Sequence, residues 1–254
     1  MTQTILNSLP IGNPGDISRS GVPTIDSVLQ HATYPVDRYG IPVIDDSGAA
    51  KAVGTSTVPA DIRGFLVRAF PSLGGMTSNE DWGASTPPLA PALLSQLRRG
   101  FTFVKVLNGT PAKNGQVYVR TAVTSGVRLQ GGIEVAAGAT VAGGTITGTG
   151  SGTIAIAVSD ATKVVAGTYA IKLLSTSQTA VFSLIDPNGA WIANGVVGTQ
   201  LVAGGLTLTI TAGGTMTIND TFAPVVSSVA IPVSGAKFTG VVDTDGIAEI
   251  EYKI

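Results

Sequence analysis

At 254 residues, with 12% charged side chains and a formal net charge of −1, the chain carries no excess of either sign. That balance argues against a nucleic-acid or anionic-membrane partner, since both are read through dense basic patches. With no cysteine there is neither a disulfide framework nor a thiolate metal site, and stability must come from packing or from partners.

The length suffices for one large all-β domain or two smaller ones, either with a real core. Although 44% of residues are hydrophobic, the apolar runs are broken by Gly and Thr and never reach the roughly 18 residues of a membrane-spanning helix. The opening MTQTILNSLPIG lacks a basic region and a long apolar region, so no secretory signal is expected and synthesis in the cytoplasm is permitted. Many Gly and Thr with few charges suit a rigid β-rich structural protein whose surface is partly covered by neighbours.

Residues 1–60 are rich in Pro, Gly, Asp and Ser with only brief apolar clusters, and read as an extended N-terminal arm. From Asp61 the texture changes: DIRGFLVRAF is a strand candidate stopped by Pro71–Gly75. In PPLAPALLSQLRRG, Leu89, Leu93 and Leu97 recur four apart, Arg98 and Arg99 fall in a last turn, and Gly100 follows, which predicts one short helix. FTFVKVLNG and GQVYVRTAV read as two strands of a hairpin around Pro111–Gly115, where Asn-Gly supplies the positive φ of a tight turn.

Between about Thr145 and Ala223 charge almost disappears, and short apolar runs alternate with Gly-rich turns at the spacing of a small sandwich. Strands are expected near 153–158, 168–174, 180–186, 190–197, 205–211 and 215–218; in LTLTI, Leu206, Leu208 and Ile210 share one face. Asp186-Pro187-Asn188-Gly189 reads as a strand reversal, with Trp191 either filling a core or standing exposed. The final IAEIEYKI alternates Ala248, Ile250, Tyr252 and Ile254 against Glu249, Glu251 and Lys253, a half-exposed closing strand. The expected organisation is mainly β: an arm (1–60), a barrel or jelly-roll-like core (61–144 plus 224–254) with one short helix, and an inserted small β-sandwich (145–223).

Chemistry-bearing patterns are sparse. His31 is the only histidine, it lies in the predicted arm, and no G-x-S-x-G elbow accompanies it, so a catalytic triad is disfavoured. Asp243-x-Asp245-Gly246 resembles the opening of a calcium loop but lacks the acidic continuation, and a strand-connecting turn explains it better. Gly148-x-Gly150-x-Gly152 resembles a phosphate loop, yet a strand follows rather than a helix. Acidic pairs for a glycosidase exist by number alone, none in a cleft-like stretch. The chain reads as a non-enzyme with no metal and no cofactor.

Three stretches, STVPADIRGFLVRAFP (56–71), STPPLAPALLSQLRRGFTFVKVLNG (85–109) and GQVYVRTAV (115–123), resemble the structural cement, or head-decoration, proteins of tailed bacteriophages. The low-charge module, through Ala166–Tyr169, Asp186–Gly189, Gly204–Ile210 and Asn219–Phe222, is similar to an immunoglobulin-like insert common in such proteins. The closing SGAKFTGVVDTDGIAEIEYKI matches the family's C-terminal hairpin. The resemblance implies a virion protein, made in the host cytoplasm, that binds the outer capsid surface as a homotrimer and bridges subunits of the major capsid protein, with no nucleic-acid or membrane partner. Tyr34, Arg38 and Tyr39 are candidate contacts because Tyr and Arg anchor interfaces, and Arg63, Arg68, Arg98 and Arg99 are candidates to face capsid acids. Local packing within the arm is the alternative for Tyr34, Arg38 and Tyr39, and a solvated surface is the alternative for the four arginines. The rival function is an adhesive or carbohydrate-binding module of a tail fibre or surface protein, for which an exposed Trp191 would be the mark.

Overall fold

The structure, a computed structural model, describes residues 11–19, 21, 23–68 and 86–253. In chain order the strands begin with β1 (Thr24–Gln30), β2 (Pro42–Asp46), β3 (Ala49–Lys51), β4 (Ile62–Val67), β5 (Leu93–Asn108), β6 (Gln116–Arg120) and β7 (Ile133–Glu134). Next come β8 (Gly138–Ala142), β9 (Ile146–Thr147), β10 (Gly152–Val158), β11 (Gly167–Thr168), β12 (Ala170–Leu173), β13 (Val181–Ile185), β14 (Trp191–Val196), β15 (Leu201–Ala203), β16 (Leu206–Ala212) and β17 (Thr221–Phe222). The chain closes with β18 (Val225–Val242) and β19 (Ile247–Lys253), and the one helical element among the described residues is a 3-10 turn at Pro59–Asp61. The protein is mainly β, and it divides into two compact units, Met1–Ala136 with Ala230–Ile254, and Ala137–Val229.

The first unit is organised around β5. Its C-terminal part pairs with β19 (Lys105↔Ile247 to Arg99↔Lys253) and with β7 (Val106↔Ile133), and β19–β18–β6–β7 complete a closed five-strand barrel. Its N-terminal part pairs with β1 (Leu93↔Leu29) and with β4 (Leu97↔Phe65), and β4–β2–β3–β1 complete a second ring of five. Each ring has its own packed interior. Val104, Val117, Val119, Ile133, Val233, Phe238, Ile250 and Tyr252 belong to one cluster, together with Phe65 and Leu97, while Val36, Val43, Ala50, Leu66 and Leu94 form the other. Gly100 stands where β5 passes from one ring to the next; its φ of +139° and the closeness of Pro23 and Leu97 to any Cβ placed there make a side chain costly.

Three expectations are corrected here. The predicted short helix through Leu89, Leu93 and Leu97 is instead the start of β5: Leu89 and Leu93 are exposed, and only Leu97 of the three is buried. The four-residue spacing is a local signal, and pairing on both edges of the strand overrides it. Residues 24–51, expected within an arm, form three strands of the first unit, and Gly15–Ser18 hydrogen-bond to Phe101 and Phe103 of β5. Short Val and Ile clusters among Pro and Gly are what strands of a small ring look like, and they are easily mistaken for loop. Finally, β5 and β6 do not pair as a hairpin; β19 and β18 lie between them in the sheet. The turn is real, with Asn114 at φ 63°, but a turn does not say which strand fills the edge. Part of the DIRGFLVRAF stretch and its Pro71–Gly75 stop lie outside the described residues.

The second unit holds two antiparallel sheets, β10–β16–β15 and β14–β13–β12–β17–β9. Leu206, Leu208 and Ile210 from one sheet meet Ile171, Leu173, Phe182, Leu184 and Phe222 from the other, all fully buried in one core. That is a β-sandwich. The alternation in LTLTI is visible in the structure, whereas 215–218 forms no strand and β15 was not foreseen.

Because Leu97 is fully buried in the barrel's core cluster while its strand segment pairs in the second ring, Leu97→Ala should lower unfolding free energy by about 2–5 kcal/mol. Urea titration followed by circular dichroism measures this; a loss under about 1 kcal/mol would mean that the shared strand is not a principal support.

Candidate functional site

The sequence patterns that resembled ligand sites are filled by the chain itself. Asp243 Oδ1 accepts from the N–H groups of Asp245 at 2.9 Å and Ile247 at 2.8 Å, which makes Asp243–Gly246 the turn of the β18–β19 hairpin. Asp186 Oδ1 accepts from Asn188 at 2.9 Å and Ala190 at 2.7 Å, so Asp186–Gly189 reverses β13 into β14. The glycine-rich Gly148–Gly152 stretch does cradle an anion, but an internal one. The buried carboxylate of Asp220 takes the N–H groups of Thr149 (2.9 Å), Gly150 (3.0 Å) and Thr217 (2.9 Å). A Cβ on Gly148 would collide with Asp220, which is why glycine stands there. Nothing in the local sequence pointed to Asp220, 70 residues along.

His31 is likewise structural: its Nδ1 accepts from the N–H groups of Thr33 and Tyr34, both at 3.1 Å, and its Nε2 lies 3.7 Å from Asp46. Lys51 completes this cluster at 2.9 Å from Asp46, holding that carboxyl below the usual range mainly through their hydrogen bond. Among the described residues no group of three or more His, Asp or Glu is placed to hold a metal ion.

Among the described residues of the first unit, two acids are buried. Glu249, expected on the exposed face of the last strand, is 4% exposed because the segment before β1 closes over it. It accepts from Ser18 Oγ (2.7 Å), Arg19 Nε (3.0 Å) and Nη2 (2.5 Å), and Thr239 Oγ1 (2.7 Å), while the Arg19 guanidinium stacks 4.1 Å from the centre of Phe101. Burial alone would raise the Glu249 pKa, but these hydrogen bonds together outweigh it and hold the carboxyl below its ordinary range. Glu134 is bound by Arg128 through two bonds of 3.0 and 2.6 Å, with Arg120 Nη1 3.6 Å away, at the base of the loop that exposes Val123 and Val127. Tyr252 packs edge-on against Phe65, and burial pushes its hydroxyl up to about 12.

The candidate contacts separate into engaged and free groups. Arg38 bonds Asp37 and the Gln130 carbonyl; Arg68 pairs with Asp16 at 3.3 Å and covers the Tyr39 ring; Arg98 pairs with Asp26 at 3.4 Å. For Arg38 the local-packing alternative describes the contacts seen, while Arg68 and Arg98 are held by ion pairs within the chain. Tyr34 is half exposed under Lys51. Arg63 and Arg99 are exposed and form no ion pair among the described residues. Arg99 stands opposite Lys253 across the β5–β19 ladder, a like-charge pairing that the sequence pattern did not reveal. In the second unit the Trp191 ring is 64% exposed, its indole N–H held by Asn194 Oδ1 at 3.1 Å.

Asp220→Ala, which removes three part-buried hydrogen bonds to a buried carboxylate, should destabilise the second unit by roughly 1–3 kcal/mol, read from thermal unfolding against the parent. Glu249 stability has a definite pH sense: a carboxyl held low in the fold stabilises above the ordinary carboxylate range and loses that contribution as pH falls through its folded pKa. Glu249→Gln should therefore flatten the acid side of the stability–pH curve; an unchanged slope would show that the Ser18–Arg19 clasp contributes nothing.

No curated protein matches the chain. Among solved structures it is similar to part of Xanthomonas campestris FlgL, at 18% identity and a TM-score of 0.27, over 37% of this chain and 31% of that one. A likeness at that score carries no argument. The family model of the XM1 gp53 minor capsid protein matches residues 1–175, from the first unit into the sandwich, and the chain therefore belongs to that family of phage capsid proteins.

Proposed function

We propose that this minor capsid protein binds the outer surface of the assembled head as a homotrimer and bridges subunits of the major capsid protein, stabilising the shell without catalysis. Family membership carries the reading. The first unit is the capsid-binding part and the sandwich an immunoglobulin-like accessory module. Arg63 and Arg99 supply the contact chemistry: two exposed cations on β4 and β5 without an ion pair among the described residues, while Lys253, opposite Arg99, lies 3.7 Å from Glu251. Carboxylates on a partner would pair with the two arginines, so the face is complementary to an acidic surface. Each bound copy then adds to shell stability by mass action.

The test is sedimentation of the purified full-length protein with empty expanded shells. Co-sedimentation is expected, with affinity reduced about tenfold or more in the Arg63→Glu/Arg99→Glu variant. Failure to co-sediment at any salt concentration overturns the reading. Undiminished binding by the variant moves the contact away from this face, and sedimentation equilibrium of the free protein tests the trimer.

A further inference from the structure

The outward face of the five-stranded sheet in the sandwich is ordered in rows. Ile171, Leu184, Phe222 and Ile146 are register partners turned to the core, so the next residues along point the other way. That outward row runs Asn194↔Ser183↔Lys172↔Thr221↔Thr147 across all five strands. At about 4.8 Å per strand it spans about 19 Å. One apolar row flanks it on each side: Trp191 with Ile185 and Ala170, and Val196 with Val181 and Leu174. The β-bulge between Leu184 and Ile185 brings Trp191 onto the same face as Asn194, and the hydrogen bond between them fixes the ring.

We infer that this face binds a carboxylate-bearing saccharide chain. A sugar ring presents a C–H face to an aromatic ring and hydroxyls to amides and alcohols, and an exposed Trp held by an exposed Asn, with two Thr farther along the row, offers both. Pre-fixing the indole limits the entropy lost on binding. Lys172 selects the charge. It is the one charged side chain in the row, it is exposed, and it has no ion-pair partner among the described residues. Ser183 beside it is buried and donates to the Lys172 carbonyl, so the ligand-facing groups of the row are Asn194, Lys172, Thr221 and Thr147. An uncompensated cation at the centre of these neutral groups complements a negative group on the ligand, and a carboxylate recurring along a polysaccharide supplies it. The inference does not rest on capsid binding, because its residues all lie in the second unit.

The experiment is affinity electrophoresis of the full-length protein through gels containing polygalacturonate, alginate or neutral dextran, with tryptophan fluorescence read in parallel. Retardation by the two acidic polymers and not by dextran is expected, with quenching of Trp emission. Trp191→Ala should weaken the retardation about tenfold, and Lys172→Gln should weaken it and remove most of its salt dependence. Both residues are exposed, so unfolding curves should match the parent, and both variants should still co-sediment with shells. Retardation equal in dextran, retardation that survives Trp191→Ala, or none in any polymer overturns the inference; self-association abolished by Trp191→Ala would overturn it in favour of a face between copies.

Discussion

Both edges of β5 are occupied along its length, and the first unit depends on that one fact. On one edge β4 gives way to β19; on the other, β1 is followed by the Gly15–Ser18 segment and then by β7. A strand of 16 residues left with a free edge would be a template for aggregation. Here each edge is closed by segments drawn from the beginning, middle and end of the chain. Closure therefore requires the chain to return after the sandwich, since β18 and β19 begin at Val225 and Ile247 whereas β7 ends at Glu134. The packing follows the hydrogen bonding: Phe65 of β4 and its register partner Leu97, in the half of β5 that belongs to the second ring, are part of the barrel's core cluster.

Buried acids do a second kind of work. Glu249 fastens the segment before β1, Glu134 anchors the 121–132 loop, and Asp220 satisfies three N–H groups of the glycine-rich stretch. Each is held by donors that water would otherwise have to serve, and Glu249 and Asp220 tie together residues distant in sequence. The consequence reaches the surface. A net charge of −1 counts all charges equally, but Glu249 is committed to Arg19, Glu134 to Arg128 and Arg120, and Asp220 to backbone N–H groups, so none of the three reaches a further cation among the described residues. Arg63, Arg99 and Lys172 thus stand uncompensated on a chain whose overall balance suggests no electrostatic preference.

The parts of this fold legible in the sequence were those set by local geometry. The period-two alternation of Leu206–Ile210, the turns at Asp186–Gly189 and Ala112–Gly115, and the final strand are all encoded within a few residues. What was hidden depends on distant pairing. Leu93 and Leu97 share a spacing with Leu89 that suits a helix face, and only the arrival of β1, β4 and β19 makes the segment a strand. The same holds for the site residues. Arg68 and Arg98 looked as free as Arg63 and Arg99 in sequence, and the difference lies in whether an Asp from another segment reaches them. Trp191 sits one residue past a clear turn, but its exposure follows from the bulge that sets its face.

The family match ends at residue 175, just past β12, and that boundary separates the two surfaces chemically. Arg63 and Arg99 lie within the matched stretch, where capsid association is the shared property. Trp191, Ser183, Asn194 and Thr221 lie beyond it, with only Lys172 and Thr147 inside. The sheet face is thus built mainly from residues that membership of the family does not account for. A sandwich needs only its inner rows to fold, so its outer rows are free to carry a binding chemistry of their own. In a row otherwise made of neutral amides and hydroxyls, a single unpaired lysine beside a fixed indole is the feature that packing leaves unexplained.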